Sequence, residues 1–138
     1  PVKSRLTGFK QALDEAGLSL PKAYIRSAPY TEKESRRAAH ELLSLPKRPT
    51  AIFAAFDVQA LSVIKVARQL NIKIPDDLAI VGFDDIDMAE HIDLTTIHQH
   101  LDESGKLAAR ILLSHIGEPI RQLQHINLPL KLIERMTT

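Results

Sequence analysis

No cysteine occurs among the 138 residues, which excludes disulfides and thiolate chemistry and fits a cytoplasmic origin. A surplus of charge is lacking too. Eighteen basic residues face seventeen acidic ones, for a net charge of +1, so the basic footprint of a nucleic-acid surface is missing. No apolar run reaches the length of a membrane helix and no secretory leader is visible, so no membrane partner is expected. With only five glycines the chain has no phosphate-cradling loop, and no Gly-x-Ser-x-Gly elbow occurs. Six histidines are scattered without metal-ligand spacing. His98 and His100, in "IHQH", fall on one face of an extended chain, but a zinc site needs further ligands. Neither an enzyme nor a metal or other cofactor is expected. Repeats and low-complexity tracts are also absent.

What is present suits one ordinary soluble domain, at 44% hydrophobic and 25% charged residues. Leu6, Phe9, Leu13 and Ala16 form one helical stripe, and Gly17 stands where that helix should end. Residues 23–27 read as a short strand. Thr31-Glu32-Lys33-Glu34 reads as a capping box opening a helix that buries Ala38, Ala39, Leu42 and Leu43, closed by Pro46 and Pro49. Ala51 to Phe56 is an unbroken apolar run suited to a strand covered on both faces. Asp57 is a natural N-cap for a helix to about Leu70. After the turn Pro75-Asp76-Asp77, Leu78 to Phe83 is a second doubly buried strand, and Leu94 to His98 a third. Asp102 can cap a helix bearing Leu107, Ala108, Ile111, Leu112 and Ile116, with Gly117 at its end. Two β-prone pieces, 123–127 and 130–134, finish the chain. Strands alternating with helices predict an α/β fold, with a mainly parallel sheet flanked by helices.

Ligands of such sheets bind outside the carboxyl ends of the strands. Two strands here run into acid, at Asp57 and at Asp84 and Asp85. Carboxylates at the mouth of a buried strand are costly unless used, and a neutral polyhydroxylated ligand would give Asp84 hydroxyl donors to accept from. The competing role for Asp57 and Asp85 is structural, one capping a helix and the other solvated. Mg²⁺ between Asp84 and Asp85 fits less well, because neighbours along a strand point to opposite faces.

Five segments in order then carry a family likeness: "RLTGFKQAL" from Arg5, "PTAIFAAFDVQAL" from Pro49, "IPDDLAIVGFDD" from Ile74, "LTTIHQ" from Leu94 and the closing "LPLKLIERMTT". Nearly the whole chain resembles the effector-binding core of the lac repressor and galactose repressor family of bacterial transcription regulators. The resemblance implies a core like the periplasmic sugar-binding proteins, with two α/β lobes and a ligand in the cleft between them. It assigns 1–100 to the second lobe, truncated at its N-terminal side and lacking its first strand. Segment 101–128 would belong to the first lobe, and 129–138 would return to the second. A helix-turn-helix headpiece, through which alone operator DNA would be bound, lies outside this chain. Strands around Ile25 and Ile52 would flank a vacant place in the sheet, so an intertwined oligomer or a piece of a longer chain is expected.

Residue by residue, Arg5 and Asp84 match frequent effector ligands of the family. Tyr30 stands where an aromatic packs on the ligand, and Gln99 where a crossover residue lines the pocket. Phe56 departs from the family pattern, which has asparagine before the aspartate. If Phe56 lines the cleft, the effector must present an apolar or aromatic surface, or a sugar face that can stack. His100 is a second departure, without an assigned role. The helix after Asp57 is apolar on more than one side, and Leu61 and Ile64 are the candidates for a homodimer interface. The function implied is sensing of a small sugar-like or nucleoside-like effector. The alternatives are the solute-binding component of a sugar importer, which shares the architecture, and a metal-using α/β enzyme.

Overall fold

The computed structural model describes residues 2–116 and 125–138. Helix α1 (Val2–Glu15) ends at Gly17, whose φ of 71° is the left-handed turn that glycine adopts without penalty. A single 3-10 turn, Lys22–Tyr24, leads to α2 (Glu32–Leu43), where Thr31 Oγ1 accepts from the backbone N–H of Glu34. This is half of a capping box, since Thr31 N donates to Pro29 O and the Glu34 carboxylate pairs with Arg37. Strand β1 (Ala51–Phe53) precedes α3 (Asp57–Gln69), and β2 (Ala79–Val81) precedes a short α4 (Asp87–His91). Strand β3 (Thr96–His98), α5 (Leu101–Ser114) and β4 (Lys131–Ile133) complete the order.

Strands β1 and β2 pair in parallel, with Ile52 opposite Ile80, and β3 and β4 pair antiparallel, with Ile97 opposite Leu132. Parallel bridges from Val81 to Thr95 and from Asp84 to His98 join the two halves. The C-terminus locks the joint. Buried Thr137 accepts at its carbonyl from Ile80 N and donates its hydroxyl to Ile80 O. The core packs Ala60, Val63 and Ala67 of α3 and Ala39 and Leu43 of α2 around Leu78, Ile80 and Leu94, the last three fully buried.

Several expectations need correction. No strand forms over 23–27, because among the described residues no strand lies alongside to pair with it. A groove of about 210 Å³ separates this segment from β1 and is lined by Leu6, Phe9, Ile25, Ala38 and Phe53. For the same reason β1 is not covered on both faces: Ala51 is exposed and Ile52 and Phe53 are half-buried. Thr50 O and Ala54 N bond toward β2, so the alternate backbone groups of Ala51 and Phe53 face the groove. Much of the apolar surface of α3 is covered within the chain, because α2 packs along this helix. Ile64 is 5% exposed and belongs to the core, which removes it from a dimer surface, while Leu61 is half-buried.

Helices α1 and α5 bury no residue. In α5 the cap position is His100 rather than Asp102, which sits inside the helix and pairs with Lys106 at 3.5 Å. Gly117 and the first half of the β-prone piece at 123–127 lie outside the described residues, and 125–127 has no regular structure. The last piece is β4.

Candidate functional site

The site grows from the end of β2. Gly82 is there because nothing larger fits: a Cβ would lie 2.1 Å from Asp57 Oδ1. Asp84 (φ 123°) and Asp85 (φ 53°) then both adopt positive φ, uncommon for side chains with a Cβ and typical of strain kept at a site. Asp84 N donates to Ile97 O at 3.0 Å and Asp85 N to Thr96 Oγ1 at 3.3 Å. Strand β3 thus holds the turn through one carbonyl and one side-chain hydroxyl.

Arg5 of α1 reaches this turn across the open edge of β1. Its guanidinium donates to Ala55 O and to Asp84 Oδ1, the latter at 3.4 Å. It lies 3.7 Å from the Phe83 ring centroid and 4.9 Å from that of Phe56, within cation–π range of both. Gln99, just beyond β3, donates its amide to Asp84 Oδ1 at 2.7 Å. Tyr30 meets the Phe56 ring edge-to-face, 4.9 Å between centroids and 87° between planes. The five residues expected at an effector site, Arg5, Tyr30, Phe56, Asp84 and Gln99, are thus brought into one chain of contacts. Both donors to Asp84 use Oδ1. Among the described residues none reaches Oδ2, which stays available as an acceptor.

Burial pushes the Asp84 carboxyl above its ordinary value of 3.8; Arg5 opposes this, and the Asp57 charge adds to it. The group is a carboxylate in a setting that disfavours charge, suited to accepting from ligand hydroxyls.

The other two acids have structural work. Phe56, not Asp57, occupies the N-cap position of α3 and makes no side-chain cap. Asp57 is fully buried instead: Oδ1 accepts from Thr96 Oγ1 at 2.6 Å and Oδ2 from Ile86 N at 3.0 Å. It ties α3 to β3 and to the start of α4. Asp85 is neither a cap nor solvated. It pairs with Arg135 at 2.9 Å and His98 at 2.8 Å, and Arg135 also donates to Leu94 O at 2.8 Å. Sequence reading missed Phe83, Ala55 O, His98 and Arg135. Only the adjacency of Phe83 to Asp84 was a usable signal, since Arg135 lies 50 residues from its carboxylate. The rings of His98 and His100 touch, 4.5 Å between centroids. No group of three or more candidate metal ligands exists among the described residues, and no described helix is long and apolar enough to cross a membrane.

A parallel strand β2 buried at Ile80 but only half-buried at Ala79 and Val81, a carboxylate beyond its end and a crossover glutamine beside it describe an α/β ligand-binding lobe. The profile of the periplasmic binding protein-like domain matches residues 1–138. The chain belongs to that family. It is 37% identical over 137 residues to the ribose operon repressor of Escherichia coli (strain K12), covering 98% of this chain and 42% of that protein. To the HTH-type transcriptional repressor PurR of Shigella dysenteriae serotype 1 (strain Sd197) it is 35% identical over 133 residues, covering 95% of this chain and 39% of that one. Among solved structures, a LacI family transcriptional regulator from Enterococcus faecium with bound ribose superposes with a TM-score of 0.89 at 31% identity, covering 99% of this chain and 51% of that chain. The transcriptional regulator CelR–cellobiose complex gives 0.87 at 30%, covering 97% and 42%. These relatives are regulators rather than enzymes. The chain spans about two fifths of the length of the curated relatives it matches.

Proposed function

We propose that this chain is the effector-sensing part of a bacterial transcription regulator, and that it binds a small sugar-like or nucleoside-like molecule against Arg5, Asp84 and Gln99. The observation that carries the reading is Asp84, oriented by two donors on one oxygen, with no described donor on the other, and linked through Arg5 to the Tyr30–Phe56 aromatic pair. Similar regulators hold ribose and cellobiose, which supports a hydroxylated guest. In this reading α5 and the rest of 101–128 cross to a first lobe, and 129–138 returns. The absence of any buried residue in α5 and the pairing of β4 with β3 support that division. A headpiece elsewhere in the regulator contacts operator DNA, and Leu61, half-exposed on α3, takes part in a homodimer contact. The effector acts by binding one lobe arrangement better than the other.

A thermal-shift screen of sugars, nucleosides and purines tests this. A stabilising ligand is expected, with its shift abolished in Asp84→Ala and in Arg5→Ala. A shift unchanged in both variants would remove the site from this position.

A further inference from the structure

Phe56 is an odd residue for its place. The N-cap of a helix favours a short polar side chain that bonds the first-turn N–H groups, yet Phe56 makes no such bond. Its ring instead lies against the Arg5 guanidinium on the way to Asp84 and meets Tyr30 edge-to-face. Tyr30 is 60% exposed and is the one aromatic among the large exposed hydrophobic residues of the described chain. Tyr30 and Phe56 therefore make a partly open aromatic corner against the Arg5 guanidinium, which itself reaches Asp84 Oδ1. The Phe56 side chain offers no donor or acceptor, so a guest hydroxyl turned toward it would be desolvated without a partner. A flat π-ring there gains aromatic contact instead.

Resting on the effector-site reading above, we infer that Phe56 sets the effector class: an aromatic or heteroaromatic ring joined to a hydroxylated skeleton. The ring lies in the Phe56–Tyr30 corner and a hydroxyl donates to Asp84 Oδ2. Nucleosides and aryl glycosides share this chemistry.

Titration calorimetry on the full chain with adenosine, phenyl β-glucoside, ribose and glucose tests it, with circular dichroism confirming that each variant folds. At least one ring-bearing ligand should bind about tenfold more tightly than its bare sugar, and which one does separates nucleoside from aryl glycoside. Phe56→Asn places a favoured N-cap residue there and should fold; it should bring the ratio to within about twofold by weakening the ring-bearing ligand. Asp84→Ala should abolish binding of all four. Bare sugars binding as tightly as their ring-bearing counterparts, or a ratio unchanged in Phe56→Asn, would overturn the role of Phe56 and leave the effector site standing. No binding by any of the four, or binding indifferent to Asp84→Ala, would overturn the site reading and this inference with it.

Discussion

Asp84 holds a charge where burial resists it, and the two consequences have opposite signs. Its folded pKa is raised, so its contribution to stability is fully present below the unfolded value of roughly 3.9 and is lost as pH rises through the folded value. Urea melts across the acid range should therefore show Asp84→Asn gaining on the parent chain as pH rises. Effector binding runs the other way. An acceptor carboxylate must be ionised, so affinity should fall as pH drops through the raised pKa, and a calorimetric pH series would show it. Gly82 has a plainer role. A methyl there collides with the Asp57 carboxylate that accepts from the Thr96 hydroxyl and the Ile86 N–H, so Gly82→Ala should destabilise by about 2–3 kcal/mol in urea melts. At this scale the sequence was half legible. Carboxylates at a strand end pointed to a site, but cap propensity is a local rule, and Asp57 is engaged by Thr96, 39 residues away. Arg5 and Asp84, 79 residues apart, were joined by family resemblance, not by periodicity.

The elements divide into those that carry the core and those that lie on it. α3 buries Ala60, Ser62, Val63, Ile64, Val66 and Ala67, while α1 and α5 bury nothing. Hydrogen exchange should accordingly protect α3 amides about tenfold or more beyond those of α5; equal protection would contradict this packing. Arg135 joins Asp85 to the carbonyl of Leu94 and so fixes the return of the chain beside β3. Arg135→Ala should lower stability by about 1–3 kcal/mol, read from urea melts. Helices were the legible elements, because stripes such as Ala39–Leu42–Leu43 and signals such as Thr31 and Gly17 are local. Strands were less so. Residues 23–27 have strand composition but no neighbouring strand among the described residues, and the Ala51–Phe56 run is apolar yet only half covered. A ladder depends on what lies alongside, which a single segment does not encode.

At the scale of the molecule, the parallel β1–β2 pair, the crossover through α3 and the antiparallel return of β4 place Asp84, Gln99 and Phe56 at one rim, with Arg5 reaching in from α1. That rim is where the end of a parallel sheet offers a ligand its approach. A two-dimensional NMR titration of the full chain with adenosine, which carries both a ribose and a ring, tests the central claim most directly. The account predicts the largest amide shifts at Phe56, Asp84 and Gln99, all lost in Asp84→Ala; shifts confined to another face, such as Glu32 to Arg36, would contradict it.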